Sequence, residues 1–137
     1  MKIIRGRHSV TSLYAHLVFV AKRRGKVFHG EHLEFLRGVF SGVMEDFEGE
    51  LVEFNGEADH VHLLVRYPPK HSMSGIVNSL KGVSSRRLKT QFPEISHFWS
   101  VAKSKNALWS PSYFASSCGG APIAKLREYI ANQDTPD

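Results

Sequence analysis

His60 and His62 stand one residue apart in the run Asp59-His60-Val61-His62-Leu63-Leu64, whose aliphatic and β-branched members suit a strand. Side chains alternate across a strand, so the two imidazoles project from one face roughly 6 to 7 Å apart, within reach of one ion, while Val61 points the other way. Histidines in this pattern either hold a metal or pack as ordinary side chains, and the pair alone does not choose between them. A second group lies toward the end of the chain. Lys125, Tyr129 and Gln133 fall at i, i+4 and i+8, which lines them along one helix face about 6 Å from neighbour to neighbour. A tyrosine can serve as a covalent nucleophile, and an amide oxygen can ligate a hard cation. The plainer alternative is that Tyr129 caps the core and Gln133 fills a surface turn.

The elements that must position these residues follow from periodicity. Residues 1–12 carry Arg5, Arg7 and His8 with little apolar pattern and are expected to form a loose basic arm. The run 14–21 is short, apolar and rich in β-branched and aromatic residues, the mark of a buried strand, and it ends in Lys22-Arg23-Arg24-Gly25-Lys26. Between Glu31 and Phe47, Leu33, Leu36, Phe40, Val43, Met44 and Phe47 recur at spacings of three and four, which predicts a helix stopped by Gly49. Strands over 51–57 and 60–67 follow, with Ala58-Asp59 too short a link for anything but a tight hairpin. Pro68-Pro69 ends the sheet there.

From Met73 to Gln91, Ile76, Leu80, Val83 and Leu88 mark one side of an amphipathic helix, and Lys81, Arg86, Arg87 and Lys89 occupy the remainder. Pro93 closes it, and the stretch to Lys105 has no assignable period. A fourth strand is expected over 109–117, then a hinge or turn at Gly119-Gly120, then a last helix from near Pro122 to about Gln133. Strand, helix, strand, strand, helix, strand, helix is an α+β order of the ferredoxin-like, split βαβ kind: an antiparallel sheet with helices on one face and one appended C-terminal helix, all in a single domain spanning 1–137. Such a sheet sets the first strand beside the third, which brings His16 toward the histidine pair in a supporting or structural role.

Composition narrows the partners. With 137 residues, 42% hydrophobic and 23% charged, the chain fits one globular domain and neither a disordered nor a membrane protein. A net charge of +5 favours a polyanion, nucleic acid or anionic lipid. The single cysteine, Cys118, excludes an internal disulfide. Lacking a signal peptide or an apolar run near ~20 residues, the chain reads as cytoplasmic. Phosphate contacts are expected from Lys22, Arg23, Arg24 and Lys26 after the first strand and from Lys81, Arg86, Arg87 and Lys89 on the second helix, with binding that weakens steeply in salt.

Three motifs taken together carry a resemblance. Asp59-His60-Val61-His62-Leu63-Leu64, Leu108-Trp109-Ser110-Pro111-Ser112-Tyr113-Phe114 and Tyr129-Ile130-Ala131-Asn132-Gln133 resemble, in order and spacing, the single-tyrosine transposases of the smallest bacterial and archaeal insertion sequences, members of the His-hydrophobic-His group. The likeness runs from Tyr14 to Gln133. It implies that Tyr129 is the nucleophile, that Mg²⁺ or Mn²⁺ is held by His60, His62 and Gln133, and that single-stranded DNA bearing hairpins is cut and rejoined through a 5′-phosphotyrosine bond. It also implies a homodimer in which the Tyr129 helix of one subunit completes the histidine pair of the other.

Tyr14, Tyr67 and Tyr113 are the other phenols, and only Tyr129 has a helical partner at i+4. Lys125, one turn away, is a candidate for easing its deprotonation. Because ligating histidines must be neutral, activity is expected to fall below about pH 6.5. Two further readings stand beside this one: a passive single-stranded DNA or RNA binder using strand aromatics as stacking platforms, and the same fold serving a host role.

Overall fold

In the computed structural model, which describes residues 13–95, 108–117 and 130–132, the chain builds β1 (Leu13–Val20), α1 (Gly30–Asp46), β2 (Glu50–Gly56), β3 (His60–Tyr67), α2 (Met73–Gln91) and β4 (Phe114–Ser117). The four strands pair antiparallel in the order β2-β3-β1-β4, the sheet expected of the split βαβ order. Alternation sorts the side chains of the central strands. Ala15, Leu17 and Phe19 of β1 and Val61, Leu63 and Val65 of β3 join Leu36, Phe40 and Met44 of α1 and Ile76, Leu80 and Leu88 of α2 in one core. Both helices therefore cover the same face of the sheet. The opposite face receives His16, Val18 and Val20 from β1 and His60, His62, Leu64 and Arg66 from β3.

Local chemistry sets the boundaries. Ser72 caps α2 by accepting the Gly75 N–H at 3.1 Å, and a 3₁₀ turn at Pro93–Ile95 follows its end. α1 ends through Glu48 in the left-handed region (φ 62), and the chain then passes so close to β3 that a Cβ on Gly49 would overlap the carbonyl of Arg66.

One strand is shorter than its sequence suggests. β4 begins at Phe114 rather than Trp109, and Trp109 makes only an isolated bridge to Ala21. The reason is tertiary: Lys81 of α2 gathers the carbonyls of Ser110 (2.7 Å), Ser112 (3.0 Å) and Pro111 (3.5 Å), while Pro111 offers no N–H to a ladder. The expected arm 1–12, the unassigned stretch from 96 to Lys105 and the Gly119-Gly120 hinge lie outside the described residues. Of the last helix only Ile130 and Ala131 are described, and both are helical. Among the described residues no helix is long and apolar enough to cross a membrane.

Candidate active site

His60 opens β3, and three backbone bonds hold the hairpin that delivers it: Glu57 N–H to the His60 carbonyl (2.8 Å), Ala21 N–H to Asp59 (2.8 Å) and Phe28 N–H to Ala58 (2.9 Å). In the ladder His60 lies opposite Val20, and His62 lies between Val18 and Asn55. The two imidazoles share the sheet face away from the helices, as their spacing predicts.

The nitrogen Nδ1 of His60 lies 2.9 Å from Oδ1 of Asp59. A carboxylate only accepts, so Nδ1–H is the donor and the lone pair of the neutral ring sits on Nε2. That is how histidine ligands are commonly held, with the far nitrogen left to coordinate. Both side chains are well shielded, His60 at 16% and Asp59 at 13% exposure, so water competes weakly for the bond.

Burial pushes the pKa of His62 below its usual 6.5, and the charges His60 and His16 acquire on protonation lower it further, against an opposing pull from Glu53. His62 is thus neutral at physiological pH, the state a ligand needs. β1 does lie beside β3, and His16, paired with Leu64 in the ladder, sits diagonal to His62 on the same face. Lys125, Tyr129 and Gln133 lie outside the described residues.

The residues expected to touch phosphate fall in different places. Arg24 directs Nε toward Oδ2 of Asp59 at 3.6 Å, so it sits behind His60 instead of facing outward. Lys22 and Arg23 are half-buried in the same turn, and Lys26 is exposed. Arg86 and Arg87 are exposed on α2, Arg87 with its guanidinium 5.6 Å from the ring centre of Phe35, and Lys89 is half-buried. α2 packs on the face opposite the imidazoles, so none of these three lines the histidine pair.

Lys81 departs furthest from expectation. Its three N–H donors meet the three carbonyls of 110–112, and its ammonium stands 5.4 Å from the Tyr113 ring and 5.6 Å from that of Phe19. Burial pushes its pKa down to about 8, and the group clasps α2 to the approach to β4.

Sequence reasoning missed two features. Asp59 was on the page as the residue before His60, and adjacency to a candidate ligand is the signal that marks it as the carboxylate behind the ring. Glu31, His32 and Glu94 bring three potential ligand atoms within 4.8 Å of one another near the start of α1. There, however, Nδ1 of His32 accepts the His29 N–H at 2.9 Å, which puts the ring proton on Nε2, 3.7 Å from the Glu94 carboxylate. With these hydrogen bonds in place that nitrogen carries a proton and no lone pair.

A single antiparallel sheet with α1 and α2 on one face and the His60–His62 pair, backed by Asp59, on the other makes this a small α+β protein. The chain belongs to the IS200-like transposases: residues 9–133 match the family described as "Transposase IS200 like". It is 28% identical over 134 residues to the ISDra2 transposase TnpA of Deinococcus radiodurans, covering 97% of this chain and 92% of that protein. With the transposase for insertion sequence element IS200 of Salmonella typhimurium it shares 32% identity over 119 residues, 86% of this chain and 74% of the relative. The crystal structure of a putative transposase from Deinococcus radiodurans R1 superposes with a TM-score of 0.85 at 32% identity, over 98% of this chain and 99% of that one. Membership makes the chain a DNA-processing enzyme of insertion-sequence transposition.

Proposed function

We propose that this transposase nicks and rejoins single-stranded DNA at the hairpin-bearing ends of an insertion sequence, using Tyr129 as nucleophile and a divalent cation held by His60, His62 and Gln133. The observation that carries the reading is the Asp59–His60 bond of 2.9 Å, which leaves a ring nitrogen free on the face His62 shares. A bound Mg²⁺ or Mn²⁺ would supply Lewis-acid polarisation of the scissile phosphate. The donor set suits it: imidazole nitrogens favour Mn²⁺, and an amide oxygen suits either ion.

In this reading the phenol oxygen of Tyr129 attacks phosphorus in line. A bond from phosphorus to the tyrosine oxygen forms as the bond to the 3′ oxygen breaks, so the departing strand leaves as a 3′-hydroxyl and the other stays joined as a 5′-phosphotyrosine. An incoming 3′-hydroxyl reverses the exchange and regenerates the phenol, which conserves the phosphodiester without ATP. A phenol, with an ordinary pKa near 10, must shed its proton, and the ammonium of Lys125, four residues earlier in the sequence, would favour the phenolate. A homodimer in which the Tyr129 helix of one subunit serves the histidines of the other, and phosphate contacts from Lys22, Arg23, Lys26, Arg86, Arg87 and Lys89, complete the proposal.

The test is incubation with labelled single-stranded DNA from the ends of the element, with and without EDTA. A denaturant-resistant adduct that needs metal and disappears in Tyr129→Phe supports the reading, and one that persists in Tyr129→Phe refutes it.

A further inference from the structure

We propose that Arg24 is a positioning residue for His60, acting through Asp59; the inference deepens the metal-site reading above and rests on it. Immediately after β1 the chain makes a 3₁₀ turn at Lys22–Arg24 in which Arg23 and Arg24 both adopt φ 56. A left-handed backbone is costly for a residue with a Cβ, and two such residues in succession persist only where surrounding bonds over-determine them. Those bonds are present: Arg24 N–H to the Ala21 carbonyl and Lys22 N–H to Leu108, each 2.8 Å, and Ala21 N–H to the Asp59 carbonyl, also 2.8 Å.

The product of this strained turn is a guanidinium behind the histidine pair. The Arg24 Nε atom is buried, has no hydrogen-bond partner among the described residues, and comes within 3.6 Å of Oδ2 of Asp59. The carboxylate is thereby divided, one oxygen facing the cation and the other receiving the His60 Nδ1–H at 2.9 Å. A carboxylate with one oxygen drawn toward the guanidinium and the other bonded to the ring is biased against swinging away, so the ion pair favours the His60 tautomer that frees Nε2. If stapling the turn to the hairpin were the only purpose, the backbone bond from Ala21 to Asp59 would already serve it.

The test exploits the left-handed backbone. Arg24→Gly removes the guanidinium while keeping a conformation glycine adopts freely, so the variant should melt no lower than the parent. Long-range ¹H–¹⁵N spectra, recorded where the ring is neutral, should report His60 protonated on Nδ1 in the parent and as a mixture of both tautomers in Arg24→Gly. Mn²⁺ affinity should fall about fivefold or more, with partial recovery in Arg24→Lys. A folded Arg24→Gly that retains the parent tautomer and the parent Mn²⁺ affinity overturns the proposal. Should that variant fail to fold, Arg24→Gln, which keeps the side-chain stem, gives the same readouts. A parent protein that binds no Mn²⁺ would sink the metal reading, and the His60 tautomer would still decide the role of Arg24.

Discussion

Replacing Asp59 should weaken metal binding more than it weakens the fold. The carboxylate spends one oxygen on the His60 Nδ1–H at 2.9 Å and the other on Arg24 at 3.6 Å, while its backbone carbonyl separately anchors Ala21. The last bond survives any side-chain change, so the stability lost in Asp59→Ala is that of a partly exposed ion pair and one hydrogen bond, about 1 kcal/mol. Loss of the partner that orients a ligating histidine typically weakens metal binding 10- to 100-fold, or about 1.4 to 2.7 kcal/mol. Asp59→Asn keeps an amide oxygen that still accepts from Nδ1–H, with a neutral bond roughly half as strong, and should fall only about 3- to 10-fold. Calorimetric titration with Mn²⁺, beside thermal melts of the same samples, reads both quantities. The reasoning fails if Asp59→Ala binds Mn²⁺ as tightly as the parent, or if its affinity falls only in step with its melting temperature.

Three further outcomes follow from the same geometry. Lys81→Met, which removes the hydrogen bonds from the ammonium to the carbonyls of Ser110 and Ser112, should cost about 1–2 kcal/mol in denaturant unfolding, and an unchanged midpoint would mean the clasp holds nothing. Gly49→Ala should cost about 1–3 kcal/mol because its Cβ overlaps the Arg66 carbonyl; a neutral result would show that the turn relaxes freely. Because the folded pKa of His62 lies below its ordinary 6.5, the unfolded chain takes up protons first on acidification. Its contribution to stability is complete above 6.5 and is lost as pH falls from there through the folded value. An NMR titration should place the His62 midpoint below 6.5, extending metal binding to more acid pH than an unshifted ring allows, and a midpoint above 6.5 would contradict this.

The parts of the fold governed by local pattern were readable from residues alone. α2 runs from Met73 to Gln91 as its apolar spacing and Pro93 dictate, and β3 begins at His60 because Ala58-Asp59 leaves room only for a tight turn. The face shared by His60 and His62 follows from strand alternation, a property of the backbone. What depends on distant contacts was not legible. The basic run after β1 looks like a phosphate contact, yet Arg24 turns inward because the hairpin carrying Asp59 folds against that turn, and no spacing rule anticipates two arginines with positive φ. Likewise Trp109 and Ser110 look like strand until Lys81, 29 residues from Ser110, withdraws the Ser110 carbonyl.

The central claim is that metal belongs on the sheet face opposite α1 and α2, at His60 and His62. Crystals equilibrated with Mn²⁺ and measured near its absorption edge locate the ion directly by anomalous scattering. The account predicts a peak within coordination distance of Nε2 of His60 and a ring nitrogen of His62. A peak instead among Glu31, His32 and Glu94, with none at the imidazole pair, would contradict it.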